Sequence, residues 1–102
     1  MKKINRNFFY NVYVEDTSDN CRELIATFKS FSEAEEFVTN NETDINETVF
    51  NVAYIYKFSY GSHYGIPEEK YIYKFDRKTG MYYFIERITK LSEICKSEHF
   101  DA

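Results

Sequence analysis

The chain has 102 residues, 43% of them hydrophobic and 29% charged, with a net charge of −4, two cysteines and no tryptophan. That length and composition fit one domain with a core of its own, and they exclude wholesale disorder and a disulfide-stapled secreted scaffold. No apolar run approaches the roughly 18 residues of a membrane span, and Lys2, Lys3 and Arg6 are followed by a stretch broken at Asn11 and closed by Glu15 and Asp16, unlike a signal peptide. A soluble, cytoplasmic protein is expected.

Twenty residues are aromatic, ten Tyr and ten Phe, and most fall in alternating runs that place every second ring on one face of a strand. From Asn7 to Glu15 the pattern predicts a strand with Phe8, Tyr10, Val12 and Val14 on one side. The turn formers Asp16 to Asn20 lead to a second strand over Arg22 to Lys29, with Leu24, Ala26 and Phe28 on one face. Pairing Val14 with Arg22 sets Val12 opposite Leu24, Tyr10 opposite Ala26 and Phe8 opposite Phe28, which keeps that face apolar. Ser30 and Glu33 form a capping box, and Phe31, Ala34, Phe37 and Val38 recur at helical spacing, so a helix runs to about Thr39 and stops at Asn40-Asn41.

Thr48 to Tyr60 reads as a long strand with Phe50, Val52, Tyr54, Tyr56, Phe58 and Tyr60 on one face. The loop from Gly61 to Pro67 precedes a strand over Lys70 to Asp76, and Gly80 supplies the positive φ for a hairpin into a last strand, Met81 to Ile88. If Asp76 pairs with Met81, Phe75 opposes Tyr82 and Tyr73 opposes Phe84; a bulge would split these rings. Leu91, Ile94 and Cys95 predict a short second helix over Thr89 to Phe100. The expected fold is a single α+β domain over residues 1–102, ordered β-β-α-β-β-β-α, with an antiparallel sheet of about five strands and one main helix packed on it.

Chemistry finds little purchase. Ser62 beside His63 is no nucleophile and base pair, because neighbouring side chains diverge. Glu68-Glu69 reads as solvated acid, and no cysteine, histidine and acid spacing converges on a metal. No catalysis and no cofactor are expected. One helix about 10 Å across covers half of a five-stranded sheet roughly 20 Å wide, so the other face is expected to hold Phe9, Tyr13 and later tyrosines in solvent.

Charge is regional: residues 1–14 carry +3, residues 15–47 carry −8 and residues 48–102 carry +1. The candidate partner-binding residues are therefore Tyr54, Tyr56, Tyr60, His63, Tyr64, Tyr71 and Tyr73 around one loop, with the acids Glu35, Glu36, Glu42, Asp44 and Glu47. An acidic segment repels phosphate and attracts basic protein surfaces. The expected role is a protein-binding module for a basic partner. Direct nucleic-acid binding by tyrosine stacking with Lys57, Lys70, Lys74, Arg77 and Lys78 is the second reading, and a homo-oligomer, a homodimer in its simplest form, is the third.

Two resemblances follow. Ala26-Thr27-Phe28-Lys29-Ser30-Phe31 leading into Glu33-Ala34-Glu35-Glu36 resembles the strand-to-helix element of AP2-like and integrase arm-binding domains, over residues 8–40. That implies a local strand-strand-helix fold; DNA reading is not carried over, since these strands offer only Arg22 and Lys29 against Glu15 and Glu23. Phe, Tyr, Ile, Asn and Lys, the residues of AT-rich codons, make up 46 of 102 positions. In size, acidity and lack of catalytic residues the chain resembles phage counter-defence proteins of the anti-CRISPR type, which implies an inhibitor that occludes a nucleic-acid-handling enzyme.

Overall fold

The computed structural model describes residues 7–41, 50–60, 66–90 and Ile94. Five strands, β1 (Phe8–Asp16), β2 (Cys21–Phe28), β3 (Val52–Ser59), β4 (Glu69–Asp76) and β5 (Met81–Ile88), and one helix, α1 (Phe31–Thr39), make an α+β domain. The sheet order is β2-β1-β3-β4-β5, antiparallel at every step. The chain leaves edge strand β2, crosses one face through α1 and returns as the central strand β3.

Local chemistry sets the ends of α1. The Ser30 hydroxyl accepts the Glu33 N–H at 3.2 Å and donates to the Glu33 carboxylate at 3.1 Å. Asn41 then takes φ 59° and closes the last turn by donating to the Val38 carbonyl, a conformation that asparagine tolerates. Gly80 likewise sits at φ 73°, and a Cβ added there would meet nothing within 4 Å. Gly80→Ala is therefore expected to cost about 1 kcal/mol through backbone strain alone, read from the denaturation midpoint.

Two cores form, one on each face. Under α1, Val12, Val14, Ala34, Val38, Ala53, Ile55, Tyr73 and Tyr82 are buried together, with Tyr10, Phe28, Phe31 and Phe37 packed around them. On the opposite face Val52, Tyr54, Tyr56 and Phe58 are buried, with Phe9, Tyr13 and Ile72 against them. The expectation of an opposite face paved with solvated tyrosines is corrected on this point. β3 lies between β1 and β4, so both flanks of its side chains are covered by neighbours.

Registers are partly legible in the sequence. Asp76 pairs with Met81, Phe75 with Tyr82 and Tyr73 with Phe84, as one of the two sequence alternatives has it, and a shift follows at Ile72/Tyr73. In the first hairpin Val14 pairs with Glu23, Val12 with Ala26 and Tyr10 with Phe28, with a shift at Val12/Tyr13. The extra residue in β2 turns Leu24 to the face away from α1, where it is half exposed opposite Tyr13, instead of opposite Val12. Phe50, expected in line with Val52, precedes β3 and packs under α1, its carbonyl accepting the Tyr82 hydroxyl at 3.3 Å.

One helix, not two, is present among the described residues. The second, expected over Thr89 to Phe100, falls largely outside them; of that range Thr89, Lys90 and Ile94 are described, Ile94 buried with its N–H donating to the Lys90 carbonyl at 3.0 Å. No described helix is long and apolar enough to cross a membrane.

Candidate functional site

The strand pairing divides the expected tyrosine cluster. Tyr54 pairs with Ile72, Ala53 with Tyr73 and Ile55 with Tyr71; paired residues share a face, so Tyr71 and Tyr73 lie under α1 while Tyr54 and Tyr56 point the other way.

Tyr54 and Tyr56 are framework. The Arg22 guanidinium lies 4.6 Å above the Tyr54 ring and donates to the Tyr56 hydroxyl at 3.0 Å, while its other nitrogen reaches Glu15 at 3.0 Å. Lys70, 1% exposed, lays its ammonium 4.7 Å from the Tyr54 ring and 5.9 Å from that of Tyr56. The two cations roof the rings through cation–π contacts. In the sequence Lys70 reads as a surface base for nucleic acid; its burial follows from pairing with Tyr56 on the covered centre of the sheet.

Tyr71 and Tyr73 are tied to acids. The Tyr73 ring is fully buried, edge-on to Phe84 at 5.6 Å, and its hydroxyl donates to Glu35 of α1 at 2.9 Å. Tyr71 packs on Phe31 at 4.4 Å and donates to Glu69. Glu69, expected as solvated acid, is instead a hub: Arg87 lies 3.1 Å and Lys57 3.6 Å from it, and the Lys57 ammonium also covers Phe8 at 4.0 Å. Burial, the largest influence on Glu69, pushes its carboxyl up; the Tyr71 hydroxyl, Arg87 and Lys57 outweigh it and leave the group below the ordinary range.

The same contact acts on the phenol. Burial first, then the bond to the Glu69 carboxylate, raises Tyr71 to about 12, and burial with Glu35 raises Tyr73. A folded pKa above the unfolded value near 10 means stability that is fully present below pH 10 and is lost as pH climbs toward 12. Urea midpoints measured across that window should fall for the wild type, and the Tyr71→Phe variant should lose part of that dependence; an unchanged slope would contradict the assignment.

Of the remaining candidates, Tyr60 is 62% exposed with its ring 5.0 Å from Phe9. His63, Tyr64, Glu42, Asp44 and Glu47 lie outside the described residues. Glu35 and Glu36 come together on α1, where Ser32, Glu35, Glu36, Thr39 and Asn40 line a shallow trough of about 520 Å³. Positions 32, 35, 36 and 39 share one flank of a helix, and the Glu35 bond to Tyr73 shows that this flank overlooks β4. Phe31–Thr39 contains three glutamates and no base. Glu36 is exposed; Glu35 is half-buried and held by Tyr73.

Sequence reasoning missed the apolar edge. Met81, Tyr83, Phe84 and Ile85 of β5 are each 42–49% exposed. The signal was present in the run Met81-Tyr-Tyr-Phe-Ile85, whose unbroken hydrophobicity exceeds what alternation on one covered face requires. No family model, curated protein or solved structure matches this chain.

Proposed function

We propose that this protein is a non-enzymatic, acidic protein-binding module that acts in the cytoplasm by occluding a basic surface of a nucleic-acid-handling enzyme, as phage and mobile-element inhibitors of the anti-CRISPR type do. What carries the reading is the flank of α1: a shallow trough lined by five polar residues, two of them carboxylates, on a helix without a single base. Glu33 answers the helix dipole at its N-terminus. Glu35 and Glu36 stand further along, where the dipole gives them less reason to be acidic, and Tyr73 holds the first of them in one orientation. A fixed carboxylate beside a solvated one suits contact with arginine or lysine side chains of a partner.

Tyr71 and Tyr73 contribute as the platform beneath this flank, and Tyr54 and Tyr56 as framework on the other face of the sheet. That assignment also weakens the nucleic-acid reading, because Lys57 is committed to Glu69 and Phe8 and Lys70 is buried over Tyr54. Affinity capture from host lysate tests the proposal. A basic nucleic-acid-handling protein should be retained at low salt and released as salt rises, the behaviour of contacts between exposed charges. Retention that ignores salt, or a gel shift of single-stranded DNA or RNA by the protein alone, would speak for other readings.

A further inference from the structure

The two edges of the sheet are opposites. β5 exposes Met81, Tyr83, Phe84 and Ile85, and an apolar edge strand is a template for a further strand. With its turn, β5 carries Arg77, Lys78, Arg87 and Lys90 against Asp76 and Glu86. β2, at the far edge, carries with its turn Asp16, Asp19 and Glu23 against Arg22 and Lys29, and Leu24 stands 52% exposed there. One edge is basic and the other acidic.

Direction matters as well. Neighbouring strands are antiparallel throughout, so β2 and β5, separated by three strands, run the same way, and the turns 17–20 and 77–80 sit at the same end of the sheet. Leu24 pairs with Tyr13, and Tyr83 with Lys74, on the face away from α1.

We infer that a second copy of this chain adds its β2 to β5, in parallel and with α1 on the same face, so that the sheet continues from copy to copy. Charge selects this arrangement. Antiparallel pairing of β5 with β5 sets Arg77 and Lys78 of one copy beside Arg87 and Lys90 of the other. Antiparallel pairing of β5 with β2 sets them beside Lys29. The parallel arrangement sets them beside the exposed Asp19, places Lys29 beside Lys90 and an Arg87 whose charge Glu69 already meets at 3.1 Å, and brings Met81 and Tyr83 to the half-exposed Leu24 on one face. A head-to-tail contact does not close as a dimer; it continues as a filament or closes as a ring. It is one strand wide, small against a standard interface, so it forms at high concentration and weakens with salt. It uses the edges and leaves the α1 flank open, and so stands or falls separately from capture of a basic partner.

Sedimentation velocity of the full chain over a concentration series tests it. The weight-average mass should rise past twice the monomer. Arg77→Glu with Lys78→Glu should raise the concentration required by roughly tenfold, and adding Asp19→Lys to that variant should recover much of the loss. All three are exposed turn positions, so folding is not at stake. In a background of Cys21→Ser and Cys95→Ser, Leu24→Cys with Tyr83→Cys should cross-link between copies under oxidation, and Leu24→Cys with Ile88→Cys, at the opposite end of β5, should not. A wild-type chain that stays monomeric, a mass that stops at the dimer, or a charge reversal without effect would overturn the inference.

Discussion

Tyr73→Ala is expected to cost roughly 3–5 kcal/mol, the range for deleting a large buried aromatic ring, and to bring a domain of ordinary marginal stability close to unfolding. The ring is fully buried among Val12, Val14, Ala34 and Val38 and meets Phe84 edge-on, so its loss opens a cavity at the seam between sheet and helix. Tyr73→Phe keeps the ring and removes only the bond to Glu35, a carboxylate exposed enough to recover water. About 1 kcal/mol is expected for that variant. Chemical denaturation of the two side by side separates packing from hydrogen bonding. If Tyr73→Ala and Tyr73→Phe cost the same, the burial described for this ring is wrong.

On the other face Tyr56→Ala should be comparably damaging, again roughly 3–5 kcal/mol. It would remove the ring that Tyr13 packs on at 4.9 Å and Phe58 meets edge-on, and would take away part of the aromatic surface beneath Lys70. Tyr56→Phe deletes one acceptor for Arg22, which keeps Glu15, and should cost about 0.5–1.5 kcal/mol. The pair decides between framework and contact surface. A contact tyrosine loses binding without losing stability; a framework tyrosine loses stability first.

Much of the fold is legible in the sequence because its signals are local. The capping box at Ser30 and Glu33, the left-handed Asn41 and Gly80 and the alternation in β1 each depend on residues within a few positions of one another. The pairing of Asp76 with Met81 follows from the turn that joins them. The β1–β2 register is not legible, because the extra residue in β2 leaves no mark in a sequence whose Leu24, Ile25 and Ala26 would suit either face. The tyrosine cluster misleads for a related reason. Whether Tyr54 and Tyr71 share a face depends on the register between β3 and β4, which is set by the whole sheet and not by either strand alone. Lys70 cannot be placed in the interior from its type, since lysine is buried only where other groups receive its charge, and here two rings from the neighbouring strand do so. Glu69 reads as a solvated neighbour of Glu68 because Lys57 and Arg87 converge on it from strands distant in sequence.

For the candidate site, sequence supplies the acids of α1 and structure redistributes the rings. Glu35 and Glu36 line one trough; Tyr54, Tyr56 and Tyr73 are buried supports, and Tyr71 is half-buried against Phe31 and Glu69. The proposed contact therefore belongs to the helix flank and not to the aromatic faces. The most direct measurement is a parallel affinity capture with wild type, Glu36→Lys and Tyr56→Phe, each matched for folded protein. The account predicts that wild type and Tyr56→Phe retain the same basic nucleic-acid-handling protein, and that Glu36→Lys, a charge reversal at an exposed position, releases it. Equal retention by Glu36→Lys, or loss confined to Tyr56→Phe, would contradict it.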